Sequence, residues 1–100
     1  MNIEIKEQNG SYLGILTGWI DTAEASQFLE DLKPLMANAN KRIELDCAKL
    51  EYIRSLGLRG LLQLKKESAA KGGIMILTHV EGEVQKILTL TGFNRLLDIR

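Results

Sequence analysis

Residues suited to metal binding and disulfide bonding are nearly absent from this sequence. It has one cysteine, Cys47, and one histidine, His79, so no disulfide can form within the chain. One cysteine and one histidine cannot by themselves form an ordinary transition-metal site of Cys and His ligands. Cys47 follows Ile43 and Leu45 with period two, which predicts a buried strand residue rather than a nucleophile. We therefore expect no metal site, and we interpret His79 as a surface residue.

An excess of charge of one sign is also lacking. Thirteen basic and thirteen acidic residues cancel, and because nucleic-acid binding depends on a basic surface, we expect no nucleic-acid partner. No apolar run approaches the ~20 residues that a membrane-spanning helix needs. The N-terminus alternates in charge instead of opening with an apolar signal core. We therefore expect a soluble, cytoplasmic protein that does not insert directly into a membrane.

The motifs of common active sites are missing as well. No Gly-x-Ser-x-Gly segment occurs, and Ser55 has no histidine nearby in sequence to act as its base. The paired glycines at Gly72-Gly73 and in the segment from Gly57 to Gly60 lack the spacing of a phosphate-binding loop. We therefore expect a protein that is not an enzyme and needs no cofactor.

Patterning at the N-terminus predicts a hairpin. Apolar and polar residues alternate over residues 2–8, and a second strand is expected over residues 11–17. Asn9-Gly10 between them is a strong signal for a tight turn, because both central residues of that turn need positive φ. Gly18 is expected to end the second strand.

A helix is expected next, with Asp21 or Thr22 as its N-cap. Pro34 lies inside the helical pattern and predicts a kink or a division into two short helices. The apolar residues of this segment keep helical spacing without a gap: Ala25, Phe28, Leu29, Leu32, Leu35 and Met36.

Residues 42–47 alternate again and predict a third strand, whereas residues 48–53 are irregular and are expected to form a loop. Ser55 stands where the N-cap of the next helix would be, and glycines at 72–73 are expected to end that helix. A helical wheel predicts one apolar arc: Gly57, Leu58, Leu61, Leu62, Leu64 and Ala69.

The remaining chain predicts one more strand and one more helix, over residues 74–77 and 81–91, and then a terminal turn or short edge strand. Strands that alternate with helices favour parallel neighbours. We therefore expect an α/β fold in one domain, residues 1–100. Its mixed sheet has four to five strands, with an N-terminal hairpin and three to four helices.

Two junctions between a strand and a helix are the candidate functional surface. The topology places both at the same end of the sheet, so that Asp21 would meet Arg54 and Ser55, with Arg59 one turn further on. Both helix beginnings present free backbone N–H groups there. Asp21 and Ser55 could also be helix caps and nothing more.

Four stretches of the chain resemble, in the same order, segments of a known family. Leu16–Asp21 resembles the family's Leu-x-Gly-x-Leu-Asp segment, and Arg54–Leu58 resembles its Asp-Ser-Ser-Gly-Leu signature. Asp46–Ile53 resembles a strand with its following loop, and Leu90–Leu97 resembles the end of the C-terminal helix. The chain thus resembles the STAS domain, which bacterial anti-sigma factor antagonists share with the cytoplasmic tails of sulfate transporters. The resemblance covers nearly the whole chain.

In antagonists of this family, a partner anti-sigma kinase phosphorylates the second serine of the signature, and the phosphate blocks binding. The unmodified form captures the kinase and frees sigma factor. The resemblance therefore implies an anti-sigma factor kinase as partner and a set of partner-binding residues: Asp21, Thr22, Arg54, Ser55, Leu56, Gly57 and Arg59.

The signature itself departs from the family pattern. Leu56 matches the phosphoacceptor serine and has no hydroxyl, and Arg54 replaces the signature aspartate with a cation. Ser55 matches the first serine and is retained as a candidate phosphorylation site. Asp21 matches the family's carboxylate. We therefore expect an antagonist that binds its partner without the usual phosphoserine switch.

Two alternative functions stay open. Some small STAS proteins are subunits of ABC-type lipid transport assemblies, and a nucleotide-binding STAS module is a further possibility. Composition does not separate these functions, nor does it give the partner's identity or the oligomeric state. Neighbouring genes for a permease and an ATPase, rather than for a sigma factor and a kinase, would favour transport.

Overall fold

The computed structural model describes residues 2–100; Met1, the first residue of the expected domain, lies outside the described residues. A short 3-10 helix, Phe93–Arg95, follows the last α-helix. The strands and α-helices are, in chain order, β1 (Ile3–Gln8), β2 (Ser11–Ile20), α1 (Thr22–Asp31), α2 (Lys33–Ala37), β3 (Arg42–Ile53), α3 (Leu56–Ala70), β4 (Ile74–Thr78) and α4 (Gly82–Thr91).

The four strands form one mixed sheet in the order β1-β2-β3-β4. β1 and β2 pair antiparallel across the Asn9-Gly10 turn, whose φ angles are 52° and 80°. The pairs β2-β3 and β3-β4 are parallel. Near the C-terminus, Ile99 forms a single parallel bridge with Leu77 of β4. The predicted α/β fold with a mixed sheet and an N-terminal hairpin is therefore confirmed.

Two strand ends were predicted wrongly. β2 continues past Gly18 to Ile20, and β3 continues through the expected loop to Ile53. The register between these strands shifts twice, and Gly18 takes a φ of +72° near the second shift. A bulge of this kind breaks the strict alternation that identifies a strand in sequence. The two strands therefore pair beyond the point where their patterns become irregular.

The first helical segment divides into α1 and α2 at Leu32. Pro34 lies in the first turn of α2, where its missing N–H leaves no hydrogen bond unmade. Two short helices, one of the two predicted outcomes, are therefore confirmed. Asp21 is the N-cap of α1, as expected.

Helix α3 differs from its predicted arc at Ala69, and it also buries Gly60 and Ser68, which the predicted arc did not include. Ala69 is exposed, whereas Ser68 is buried with 1% of its surface accessible. On a helix of 3.6 residues per turn, position 68 lies between positions 61 and 64, at the centre of the buried arc. The helix ends as predicted, with Gly72 at a φ of +75° and its neighbour Gly73 donating to the Ser68 carbonyl.

One hydrophobic core joins the four α-helices to the sheet. The alternate residues of β3 at 43, 45 and 47 are buried, and so are Met75 and Leu77 of β4, which pair with the first two. The residues of β3 at 44 and 46 are half-buried. Cys47 is buried, as predicted. The largest fully buried side chains are Phe28, Ile3, Leu16, Ile20, Leu32, Leu35, Ile43, Leu45, Ile53, Leu61, Leu64 and Met75.

Candidate functional site

The candidate site lies where the neighbouring parallel strands β2 and β3 end. Ile20 and Ile53 are opposite each other in the strand register. The N–H of Arg54 donates to the Ile20 carbonyl at 3.2 Å, which ties the two following loops together. Helices α1 and α3 both begin within three residues of these strand ends. Both helix beginnings therefore lie at one end of the sheet, as the sequence predicted.

Asp21 caps α1 and also faces the second loop. Its Oδ1 accepts a hydrogen bond of 2.8 Å from the backbone N–H of Thr22. The same oxygen lies 3.8 Å from Nε of Arg54, at the limit of an ion pair between two partly exposed groups. Such exposed pairs contribute little to stability, about 0–1 kcal/mol. The pair therefore places a cation and a carboxylate side by side at the surface but contributes little to the stability of the fold.

Arg54 is held by an aromatic residue as well. Its Nη1 donates to the hydroxyl of Tyr52 at 3.3 Å. Tyr52 in turn packs against Trp19, with ring centroids 4.4 Å apart and an angle of 36° between the rings. The hydrogen bond to Tyr52, with Asp21 as a further cause, raises the pKa of the Arg54 guanidinium. The guanidinium, charged at physiological pH as in any arginine, therefore has two neighbouring side chains as polar partners.

Trp19 and Tyr52 were missed in the sequence analysis. They are direct partners in the β2-β3 register, and 54% of the Trp19 surface is exposed. Because residues 18–22 and 48–53 were interpreted as loops, the apolar pattern did not predict that these two rings would meet. A signal was present, since each aromatic residue stands two positions before the charged residue of its own loop, Asp21 or Arg54.

Ser55 occupies the N-cap position of α3 without capping it. Its side chain makes no capping hydrogen bond, and the residue is exposed. Its backbone angles are φ 54° and ψ −118°, a conformation that glycine adopts far more readily. The expectation that its hydroxyl would be engaged by the helix is therefore wrong. The hydroxyl remains available at the surface.

The first turn of α3 contains the rest of the candidate residues. Leu56 is 39% exposed. Arg59 is exposed and lies three residues further on, which places it on the same side of the helix as Leu56. Gly57 is buried, and a Cβ atom there would lie 2.9 Å from Ile20 and 3.0 Å from Ile53. Gly57 therefore allows close packing, whereas Leu56 and Arg59 are accessible.

We call the exposed surface formed by these two junctions the docking face: Trp19, Asp21, Thr22, Tyr52, Arg54, Ser55, Leu56 and Arg59. It combines two aromatic rings and a leucine with two guanidinium groups and one carboxylate. Such a mixture of aromatic residues and arginine is common in protein–protein interfaces. Within residues 2–100, no group of three or more His, Cys, Asp or Glu residues could hold a metal ion.

A sequence model described as the STAS domain matches residues 2–100. The chain belongs to the STAS domain family. Over residues 2–100, no helix of this STAS protein combines the length and apolar character needed to cross a membrane.

Similar proteins include regulators of sigma factors. The "Putative anti-sigma factor antagonist BtrV" of Bordetella bronchiseptica is 27% identical over 93 residues, covering 93% of this chain and 80% of its own. An anti-sigma factor antagonist from Mycobacterium paratuberculosis has a TM-score of 0.84 and 16% identity, over 97% of this chain and 82% of its own.

The Bacillus protein SpoIIAA is another structural neighbour. The structure of this anti-sigma factor antagonist in its unphosphorylated form has a TM-score of 0.76 and 16% identity, over 98% of this chain and 87% of its own. Its phosphorylated form also matches, with a TM-score of 0.72. At these identities, the structural neighbours establish the fold of the chain alone.

Proposed function

We propose that this STAS protein is a cytoplasmic anti-sigma factor antagonist that binds a kinase-type anti-sigma factor and thereby frees sigma factor. The observation that supports this most directly is the position of Asp21 next to Arg54, with Leu56 beginning the adjacent helix. Similarity in sequence to a relative named as a putative anti-sigma factor antagonist supports the choice of partner. The protein acts by binding, and its docking face performs no reaction.

Leu56 is proposed to be an apolar contact at the position where the family signature has a phosphoacceptor. It is one of the few large hydrophobic residues that remain exposed within residues 2–100. Burying the exposed part of a leucine favours a complex by about 1 kcal/mol. Because no phosphate can be attached there, binding is expected to be constitutive rather than controlled at this residue.

The proposed contacts surround Leu56. Trp19 offers a partly exposed aromatic surface, and Arg54 and Arg59 offer cations for acidic groups of the partner. Asp21 and Thr22 form the other half of the face. Gly57 contributes indirectly, because a side chain there would push α3 away from the strand ends.

Leu56→Asp tests this proposal directly. The substitution puts a charge into the centre of the contact, and we expect it to weaken binding by about 2 kcal/mol, roughly thirtyfold. Isothermal titration against the kinase-type anti-sigma factors of the same genome measures the effect. Leu90→Asp is the matched control, because Leu90 is 86% exposed on a different helix, α4. Lack of binding to any of these kinases would refute the proposal.

We also propose Ser55 as a phosphorylation site. Its hydroxyl is exposed and makes no capping bond, and a phosphate would add about two negative charges beside Arg54 and Arg59. Incubation with the cognate kinase followed by mass spectrometry tests this, with Ser55→Ala as the control. Absence of label, under conditions that phosphorylate a serine-bearing relative, would contradict it.

A further inference from the structure

The outer edge of β1 has no strand against it among residues 2–100. At the opposite edge, β4 is partly covered by the C-terminal tail. The Leu77 N–H donates to the Asp98 carbonyl and the Arg100 N–H donates to the Leu77 carbonyl, both at 2.8 Å. An uncovered edge presents a row of backbone donors and acceptors that can pair with another chain.

The hairpin register fixes which backbone groups of β1 are free. The Thr17 N–H donates to the Asn2 carbonyl at 2.8 Å, so Asn2 directs its backbone groups toward β2. In an antiparallel pair, every second residue directs its backbone N–H and C=O toward the same neighbouring strand. Glu4 and Lys6 therefore form their backbone hydrogen bonds with β2. The N–H and C=O groups that point outward therefore belong to Ile3, Ile5 and Glu7.

The side chains of β1 are complementary to those of a second β1 in one register. Two copies that pair antiparallel about a two-fold axis through Ile5 place Glu4 of each copy opposite Lys6 of the other. Opposite charges directly across two strands are favourable, whereas like charges are unfavourable. In the same register, Ile3 lies opposite Glu7, so that all the outward backbone groups find partners.

Other two-fold registers lose this match. An axis through Glu4 or Lys6 would place identical charges directly opposite each other, which is unfavourable. An axis through Ile3 or Glu7 would leave about half of the strand unpaired. Charge complementarity therefore selects a single register, centred on Ile5.

The surroundings of β1 leave space for a second strand. Glu4 and Lys6 are exposed, and a cleft of about 670 Å³ lies along the strand and extends to the end of α1 and to Pro34. Two acidic groups of α1 near this cleft have a partner in their own chain, although Oδ2 of Asp31 is buried without a hydrogen bond. Glu30 pairs with Lys33 at 2.9 Å, and Asp31 accepts a hydrogen bond of 2.8 Å from Gln27.

We propose that this protein forms a homodimer through antiparallel β1-β1 pairing about an axis at Ile5, and that a second copy of the chain is the occupant of this edge. The dimer has one continuous sheet of eight strands, four from each copy. The interface is isologous, since each copy contributes the same residues. It does not depend on the function proposed for the docking face.

Charge reversal with rescue tests the interface. Glu4→Lys and Lys6→Glu each convert both cross-strand pairs into like-charge pairs, and we expect either one to raise the dimer dissociation constant about tenfold or more. The double variant Glu4→Lys/Lys6→Glu restores opposite charges and is expected to restore the wild-type constant. Sedimentation equilibrium over a concentration series measures all four proteins. Glu81→Lys, an exposed reversal outside β1, is the control.

Hydrogen exchange gives a second readout at the level of single residues. In the dimer, the outward N–H groups of Ile5 and Glu7 become protected at high protein concentration, whereas in the monomer only the inward N–H groups are protected. Glu7→Pro removes one outward N–H without removing a bond to β2, so it is expected to weaken the dimer and keep the fold. A wild-type chain that stays monomeric at millimolar concentration would overturn the proposal, as would single reversals that dimerise like the wild type.

Discussion

Ser55 has a backbone conformation that costs free energy. At φ 54° and ψ −118°, its Cβ crowds the neighbouring backbone, a cost of about 1–3 kcal/mol for a residue other than glycine. Strain of this kind often lies in regions that bind ligands or partners. Here it positions the exposed hydroxyl and the following Leu56 at the beginning of α3.

Ser55→Gly is therefore expected to stabilise the fold. Relief of the strain outweighs the extra backbone entropy of an unfolded glycine, and the net gain is about 1 kcal/mol. Urea unfolding measures the change. Ser26→Gly, at an exposed position inside α1, is the matched control and is expected to lose about 0.5–1 kcal/mol. A loss of stability in Ser55→Gly would contradict the strain argument.

Cys47 makes stability depend on pH. Burial, with the neighbouring Asp46 charge as a second cause, raises the pKa of its thiol to about 12. The folded chain therefore holds this proton at a pH where the unfolded thiol, with its ordinary pKa of 9.0, has lost it. The contribution of the protonated thiol to the free energy of unfolding is fully present below pH ~9. It is lost as the pH rises toward ~12, by at most about 1.4 kcal/mol per pH unit.

Cys47→Ala isolates this effect. Unfolding free energies of both proteins are measured at several pH values from about 8 to 11. We expect the wild type to lose stability faster than Cys47→Ala above pH ~9, because only the wild type carries the thiol. Parallel curves for the two proteins would show that Cys47 is not protected from ionisation.

At the scale of elements, α3 contains one polar group that its packing does not satisfy. The Oγ atom of Ser68 is buried and has no hydrogen-bond partner. Leaving a buried hydroxyl unpaired costs about 1–3 kcal/mol. The apolar pattern predicted Ala69 in the core instead, because an apolar pattern does not count a serine even at the centre of the buried arc.

Ser68→Ala is expected to raise the stability by about 1 kcal/mol, since it removes the unpaired hydroxyl and alanine also favours the helix. Thermal and urea unfolding both measure it. Ser26→Ala in α1 separates the two causes, because that serine is exposed and only helix propensity changes there. Equal gains in the two variants would mean that burial of Ser68 contributes nothing.

The strands show how much of a strand's extent follows from the local pattern of apolar and turn residues. The hairpin was predicted correctly because Asn9-Gly10 specifies a turn within four residues. The ends of β2 and β3 were not predicted correctly, because they depend on how the two strands pair with each other, and that pairing contains two register shifts. Those shifts bring Trp19 onto Tyr52. The local sequence pattern therefore could not predict that Trp19 and Tyr52 belong to the docking face.

At the scale of the whole molecule, the positions of the docking face and the β1 edge together predict how many partner molecules a dimer binds. β2 and β3 of two copies run in opposite directions in the proposed dimer, so the two docking faces lie at opposite ends of the eight-stranded sheet. Each copy can then bind a partner without obstructing the other. We expect a complex of two chains with two partner molecules, which light scattering of the purified complex measures.

The two surfaces are also expected to be separable by substitution. Leu56→Asp should weaken partner binding roughly thirtyfold, as above, and leave the dimer dissociation constant unchanged, because Leu56 is not in β1. Glu4→Lys should raise the dimer dissociation constant and leave partner binding unchanged. A dimer that dissociates when the partner binds would contradict the arrangement, even if each surface were correct by itself.

The sequence alone determined the fold class, the hairpin, the helices and the end of the sheet at which Asp21 and Arg54 meet, because these follow from local turn chemistry, apolar spacing and the order of elements. Only the tertiary structure decided how far β2 and β3 pair, that Trp19 packs against Tyr52 and that Ser55 leaves its helix uncapped. The strand pairing and the contact of the two rings join residues about thirty positions apart. Such contacts leave no periodic trace in either segment, since neither one specifies the other's register.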